Sequence, residues 1–215
     1  VDIIAYEDVY HNAIKKALKV TGDDDYNKIS ILDYTQNNIT TALTNTATDQ
    51  IAIIYAQGEI QGGEGDVTVI GEGSMRRSLQ EARKNEDVKA IVLRIDSPGG
   101  SALTSDLIWR EIEITKKVKP VVVSMGNYAA SGGYYIACNA NKIFAESNTI
   151  TGSIGVFGVL PNFSPLAHKL GINTEQVKTH ENSANYSPFV PVDEKFKAFT
   201  LEGVEHIYKT FVTHV

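Results

Sequence analysis

Two glycine-containing segments carry the residue types that acyl-transfer chemistry needs. The first is DSPGG at residues 96–100, and the second is MGNYAASGGYY at residues 125–135, with Ser131 near its centre. A serine hydroxyl can attack a carbonyl carbon once a base accepts its proton. Glycine has no Cβ, so its backbone N–H can approach a ligand closely. The two segments together could supply a nucleophile and an oxyanion hole.

Each segment follows an apolar run and precedes a predicted helix. The runs AIVLRI (90–95) and PVVVSM (120–125) are typical of buried parallel strands. The carboxyl ends of parallel strands meet at one edge of a sheet, where α/β folds place their sites. We therefore expect the two segments to face each other, although either one alone is a weak signal. The predicted oxyanion-hole donors are the N–H groups of Gly99, Gly100 and Gly132.

The residues alone do not identify the base that would activate Ser131. His168 lies on a predicted amphipathic helix and His180 lies in the polar run KTHENSANYSP, and at both positions a surface histidine is the commoner case. Lys178 is the strongest lysine candidate, against the commoner alternative of a solvated surface lysine. Ser153, in TGSIGV, is either a group that orients a base or a simple turn hydroxyl.

Strands alternate with helices along residues 51–215, which predicts an α/β domain with a mostly parallel sheet. The predicted strands are 51–60, 90–95, 120–125, 142–146, 153–158 and 173–178. The predicted helices are 74–85, 101–117, 132–140, 162–170 and 191–214. The first of these has Met75, Leu79 and Ala82 on one face, and Ser101 is the predicted N-cap of the second. The last helix is expected to bury Phe196, Phe199, Val204, Ile207, Tyr208 and Phe211.

Residues 1–50 have a different organisation and are predicted to form a separate segment. An amphipathic helix is predicted within residues 1–20, and KISILDY (28–34) alternates like a short strand. Residues 36–50 are rich in Asn and Thr, which is typical of a linker. We therefore place a domain boundary between residues 50 and 51.

Composition excludes several classes of protein and site. The net charge of −6 argues against a nucleic-acid partner, and no apolar window of about 18 residues predicts a membrane span. The lone Cys138 excludes an internal disulfide and is expected to pack in the core. No cofactor and no metal site are predicted. The chain lacks an initiator Met and stops within a helical pattern, so we interpret it as a fragment of a longer protein.

Four segments resemble the signal peptide peptidase A family, also called protease IV. They are AIVLRIDSPGGS, KPVVVSMGNYAASGGYYIA, NKIFAESNTITGSIGVFG and LGINTEQVKT. The resemblance covers residues 51–215, with motifs specific in order and spacing. The family consists of serine peptidases of the ClpP/crotonase superfold. This implies a repeated β-β-α spiral preceded by a helical linker, with Ser131 as nucleophile and the N–H groups around Gly99, Gly100 and Gly132 as the oxyanion hole.

The family uses a Ser–Lys dyad, in which a desolvated lysine acts as the base. In the short form, that lysine lies in the stretch that corresponds to KTHENSANYSP, where matching Lys178 and Ser187 puts Ser183 at the lysine position. In the long form, the N-terminal half of the same polypeptide supplies the lysine. The resemblance therefore implies that this chain is the C-terminal half of a long form. We expect the isolated chain to have little or no peptidase activity.

The resemblance also implies partners and a location. The expected substrates are hydrophobic peptides, namely signal-peptide remnants, and the expected assembly is a homotetramer that includes the N-terminal half. The expected location is the periplasmic side of the inner membrane, with the anchor outside this chain. Two alternatives stay open. One is a crotonase-type acyl-CoA enzyme that uses the same two turns as an oxyanion hole, and the other is a non-catalytic assembly domain.

Overall fold

The computed structural model describes residues 6–20, 49–180, 183 and 186–215. The chain divides into two compact units between Gln50 and Ile51. The first unit contains helix α1 (Glu7–Leu18), which ends at Lys19. The backbone of Lys19 is left-handed (φ 58°), so that its N–H bonds to carbonyls of the last turn. The predicted strand at 28–34 lies outside the described residues, as does nearly all of the predicted linker.

The rest of the described chain alternates strands with helices. In chain order these elements are β1 (Gln50–Gln57), β2 (Glu59–Gln61), β3 (Val69–Gly71), α2 (Glu72–Lys84), β4 (Val88–Ser97), α3 (Ala102–Thr115), β5 (Val121–Ala130), α4 (Gly132–Ala137), β6 (Lys142–Phe144), β7 (Ile150–Gly152), α5 (Ser164–Lys169) and α6 (Glu194–His214). None of the described helices is both long enough and apolar enough to cross a membrane.

The main sheet has β4 and β5 at its centre. Within the described residues its strand order is β1-β4-β5-β6, and β7 pairs with the second half of β5. The pairs β4–β5, β5–β6 and β5–β7 are all parallel. Strands β2 and β3 form a separate parallel pair. The predicted α/β architecture with a mostly parallel sheet is confirmed.

The core forms where the central strands meet the helices that connect them. Side chains of β4 and β5 that point into the core are fully buried, and helix α2 adds the apolar face that the sequence predicts. These core residues are Ile91, Leu93, Ile95, Val121, Val123, Met75, Leu79 and Ala82. Helix α3 begins at the predicted cap, since the Ser101 side chain accepts the Thr104 N–H. The apolar runs therefore place both glycine turns at the same sheet edge.

Strand β1 corrects one prediction, because residues 51–60 were expected to form a single strand. The segment breaks into β1 and β2, and Ile51, Ile53 and Tyr55 of β1 are exposed. Successive side chains of a strand point to opposite faces, and only the face of Ile54 and Ala56 packs against the core. A run of apolar residues does not distinguish this case from a central strand.

Three further predictions differ from the structure. Residues 153–158 and 173–178 form no strand, and the last strand of the described chain, β7, ends at Gly152. Strand β5 extends through Ala130, so the predicted turn starts five residues later than expected. Helix α6 buries Phe211 but leaves Phe199 69% exposed. Of the six residues expected to face inward on this helix, only Phe211 is fully buried.

Candidate active site

Ser131 lies between the end of β5 and the start of α4. Its φ of 51° is positive, which is uncommon for a residue other than glycine. Its N–H donates to the Gly152 carbonyl at 2.9 Å, and its own carbonyl accepts the Tyr135 N–H at 2.9 Å. Such a conformation costs about 1–3 kcal/mol and persists where the surrounding structure enforces it. The strand-to-helix turn therefore fixes the backbone of the predicted nucleophile on both sides.

The first glycine turn is fixed by strand β2. The Ile60 N–H donates to the Gly99 carbonyl at 2.9 Å, and the Ser101 N–H donates to the Ile60 carbonyl at 2.7 Å. Gly99 has a φ of 103°, which favours glycine. A Cβ on Gly100 would lie 2.1 Å from the Ile60 carbonyl oxygen, so no larger residue fits there. Because this pairing uses the groups on either side of Gly100, the Gly100 N–H points away from β2.

The two glycine turns are in contact, as the sequence predicts. A Cβ on Gly99 would lie 2.6 Å from the Gly132 nitrogen and 2.8 Å from the Ser131 Cβ. A Cβ on Gly132 would lie 3.3 Å from the Gly100 nitrogen and 2.6 Å from Ser105 Oγ. The structure therefore brings the predicted nucleophile and all three predicted donor residues into one small region.

The three predicted donors are not equivalent. The Gly99 N–H already donates to Ser97 Oγ at 3.1 Å. The Gly132 N–H is the first of helix α4, and first-turn N–H groups have no acceptor within their own helix. Within the described residues, no protein group accepts the N–H of Gly100 or of Gly132. These two groups are consequently the ones available to a substrate oxygen.

The structure does not bring the candidate bases to Ser131. His168, His180 and Lys178 are all exposed, and no hydrogen bond joins any of them to Ser131 in the described part of the chain. His180 Nδ1 contacts Thr179 Oγ1 at 3.3 Å instead.

The Ser183 hydroxyl makes hydrogen bonds to the backbone of nearby residues. It accepts the N–H groups of Thr179 and His180 at 3.2 Å each, and donates to the His180 carbonyl at 2.9 Å. The residue at the short-form lysine position therefore closes a turn.

Ser153 lies beside Ser131 in the sheet register. Ala130 of β5 pairs with Gly152 of β7, and each serine follows its strand directly. Both serines have the same positive φ of 51°. This placement at the same sheet edge is compatible with an orienting role for the Ser153 hydroxyl, which stays a prediction.

An aromatic cluster packs against helix α4 through Tyr135. The Tyr135 hydroxyl donates to Asp106 Oδ1 at 2.7 Å, and the Tyr135 ring packs against Phe211 with centroids 4.7 Å apart. His214 stacks on Trp109 at 3.7 Å. Burial lowers the pKa of His214, although the negative charges of Asp106 and Glu113 act in the opposite direction.

Cys138 follows helix α4, and its Sγ contacts the Tyr135 carbonyl at 3.1 Å. Burial raises the pKa of this thiol, which disfavours the reactive thiolate. Cys138 is half-buried, so it is less enclosed than the predicted core position.

Sequence reasoning missed the residues that fix the turns. Ser97 and Ile60 hold the first turn, and Ser105 Oγ, which donates to the Ser101 carbonyl at 2.8 Å, lies against Gly132. The serine within DSPGG was the one available signal, because a hydroxyl two residues before a glycine can accept that glycine's N–H. Nothing in the sequence links Ile60 to this turn.

Comparison with known proteins identifies the family. Residues 113–215 match the model of Peptidase family S49. The chain is 42% identical over 165 residues to Protease 4 of Haemophilus influenzae, covering 76% of this chain and 27% of that protein. It is 38% identical over 220 residues to the chloroplastic Serine protease SPPA of Arabidopsis thaliana, covering 97% of this chain and 32% of that protein.

A third relative is Protease 4 of Salmonella typhi. It is 37% identical over 194 residues, covering 90% of this chain and 30% of that protein. The chain thus spans roughly a third or less of the length of these three relatives. Residues 113–215, which include Ser131, thus match Peptidase family S49, and the resemblance that the motifs predict is confirmed.

Proposed function

We propose that this chain is the nucleophile-bearing part of a serine peptidase of the signal-peptide-peptidase type. The observation that carries the proposal is the contact between the Gly99–Gly100 turn and the turn of Ser131, where the Gly100 and Gly132 N–H groups have no acceptor among the described residues. The family similarity supports the same reaction class. A free serine beside two uncommitted backbone donors is the arrangement that acyl transfer requires.

The reaction follows from this geometry. Ser131 Oγ attacks the peptide carbonyl carbon while its proton passes to a base, and the carbonyl oxygen becomes an oxyanion. The N–H groups of Gly100 and Gly132 donate to that oxygen, and such a donor contributes about 2.7–4 kcal/mol to transition-state stabilisation. Collapse of the intermediate breaks the C–N bond, and the leaving amine takes the proton. Water then hydrolyses the acyl-enzyme ester and regenerates Ser131.

The base in this proposal is a lysine from outside the described residues, supplied by the N-terminal half of a longer polypeptide. Two observations support it. Ser131 Oγ has no lysine or histidine partner within the described residues. The chain also spans only 27–32% of the length of the relatives compared. The isolated chain is therefore expected to hydrolyse peptides very slowly or not at all.

The substrates, assembly and location of the whole protein belong to the same proposal. Hydrophobic signal-peptide remnants are the proposed substrates, and exposed apolar side chains such as Phe157 (83% exposed) and Val159 support a surface that meets apolar partners. A homotetramer on the periplasmic side of the inner membrane is the proposed setting. The reaction uses no cofactor.

Ser131→Ala in the full-length protein is the test of this function. We expect kcat on a fluorogenic apolar peptide to fall at least about 10⁴-fold, because loss of the nucleophile in a serine peptidase has effects of this size. The melting temperature should stay close to that of the wild type. The variants His168→Ala and His180→Ala are controls that should retain activity. Substantial turnover by Ser131→Ala would refute the proposal.

The crotonase-type alternative makes a different prediction for the same variant. An enolate held by the Gly100 and Gly132 N–H groups needs no serine nucleophile, so Ser131→Ala would keep its activity on an acyl-CoA. Measuring both peptide and acyl-CoA turnover in one preparation therefore separates the two reactions.

A further inference from the structure

We propose that Ser97 is a positioning residue that decides which backbone N–H groups of the first glycine turn face the substrate oxygen. This inference rests on the proposed function and extends it to a residue that touches neither substrate nor nucleophile. Ser97 is the last residue of β4 and is fully buried, with no measurable solvent exposure. Its hydroxyl accepts the Gly99 N–H at 3.1 Å.

The local sheet geometry brings Ser97 to this position. Ile95 pairs with Met125, but Ser97 pairs with Ala129, so β5 contains two extra residues opposite Asp96. The carboxylate of Asp96 accepts the Tyr128 N–H at 2.9 Å and fills the irregular stretch. A bulge of this kind redirects the side chains that follow it. Ser97 is thus held opposite the residues that lead directly into Ser131.

The hydrogen bond from Gly99 has a direct consequence for the site. The Gly99 backbone lies next to Ser131, since a Cβ on Gly99 would lie 2.8 Å from the Ser131 Cβ. With the Gly99 N–H bound to Ser97 and the Gly99 carbonyl bound to Ile60, the peptide groups on both sides of Gly99 are fixed. Among the described residues, Gly100 then provides the one N–H of the Gly99–Ser101 backbone that has no protein acceptor.

Ser97 also contacts the segment that carries the second donor. A Cβ on Gly133 would lie 2.6 Å from the Ser97 carbonyl oxygen and 3.2 Å from the Ser97 Cβ. The residue therefore touches the first turn through its hydroxyl and the start of helix α4 through its backbone. One buried residue therefore sets the spacing between the Gly100 and Gly132 donors, and its hydroxyl fixes the first turn.

The experiment compares Ser97→Ala and Ser97→Cys with the wild type in the full-length protein. Alanine removes the acceptor, and cysteine keeps a similar shape with a weak acceptor. We expect kcat to fall about 10- to 100-fold in both variants, with KM changed by less than about twofold, because the donors act only on the transition-state oxygen. Ser97→Thr retains a hydroxyl acceptor and should recover part of the lost kcat.

A second measurement separates positioning from general destabilisation. A peptide aldehyde that forms a hemiacetal with Ser131 places an oxygen in the oxyanion hole, so its affinity should fall in parallel with kcat. Ser124→Ala is the matched control, since Ser124 is another strand serine that accepts a side-chain hydrogen bond, here from Arg94 at 2.8 Å. This control should keep wild-type kcat and aldehyde affinity.

The results distinguish the proposed role of Ser97 from the proposed peptidase function. Unchanged or increased kcat in Ser97→Ala, with Ser131→Ala inactive, would overturn the role of Ser97 and leave the peptidase function intact. A lower kcat with unchanged aldehyde affinity would also overturn it, because the defect would then be structural. Activity in Ser131→Ala would instead overturn the peptidase function itself.

Discussion

Replacement of Gly99 by alanine tests the contact between the two glycine turns most directly. Gly99 has a φ of 103°, and the added Cβ would lie 2.6 Å from the Gly132 nitrogen and 2.8 Å from the Ser131 Cβ. Both neighbours are backbone or Cβ atoms, so no flexible side chain can move aside. The substitution therefore strains the turn and displaces one proposed donor from the site.

The two effects have different magnitudes and different readouts. Backbone strain of this kind costs about 1–3 kcal/mol of folding free energy. For a protein of 150–250 residues each kcal/mol lowers the melting temperature by roughly 2–4 °C. Loss of one oxyanion-hole donor lowers kcat by about 10²–10³-fold. The reasoning therefore predicts a modest loss of stability together with a severe loss of turnover.

The assay measures kcat, KM and melting temperature for the full-length Gly99→Ala protein on a fluorogenic apolar peptide. Gly171→Ala is the matched control for strain, because Gly171 has a φ of 74° and no atom within 4 Å of an added Cβ. The control should lose stability and keep kcat. Wild-type kcat in a folded Gly99→Ala protein would refute the contact on which the site is built.

Two further predictions concern the aromatic cluster behind helix α4. Burial lowers the pKa of His214 in the folded protein. The neutral ring therefore contributes stability that is present above the ordinary histidine pKa of about 6.5, and this stability is lost as the pH falls through the lower folded-state pKa. Lowering the pH from about 7.5 to about 5.5 should therefore reduce the melting temperature of the wild type more than that of His214→Phe. Equal reductions in the two proteins would contradict the lowered pKa of His214. Tyr135→Phe removes the hydrogen bond to the Asp106 carboxylate at 2.7 Å, which should cost about 1.5–3 kcal/mol in denaturant unfolding. An unchanged unfolding midpoint would show that this bond contributes nothing.

Sequence patterns predicted the strands and the helix faces that depend on residues close together in the chain. The apolar runs at 90–95 and 120–125 identified β4 and β5, although burial alternates along both strands and only one face of each is fully buried over these residues. The helical spacing of Met75, Leu79 and Ala82 identified the buried face of α2. The chain direction of these elements then placed both glycine turns at one sheet edge. For that reason the predicted nucleophile and donors were found together.

Non-local pairing explains most of what the sequence did not reveal. Whether a face of an apolar strand is covered depends on the elements that pack against it, so the exposed face of β1 had no local signal. The same applies to β7, whose three residues are strand only because β5 pairs with them. The commitment of the Gly99 N–H to Ser97 also depends on a turn conformation that composition does not specify.

The pairing of Ile60 with the Gly99–Ser101 backbone fixes the first turn with residues that are synthesised before Ser131, whereas the Ser131 turn has one partner that is synthesised after it. The groups that hydrogen-bond the first turn, Ile60 and Ser97, both precede Ser131 in the chain. The Ser131 N–H, in contrast, donates to the carbonyl of Gly152, which is synthesised later. A chain that ended before Gly152 would therefore keep these partners of the first turn and lose the acceptor that fixes the Ser131 backbone.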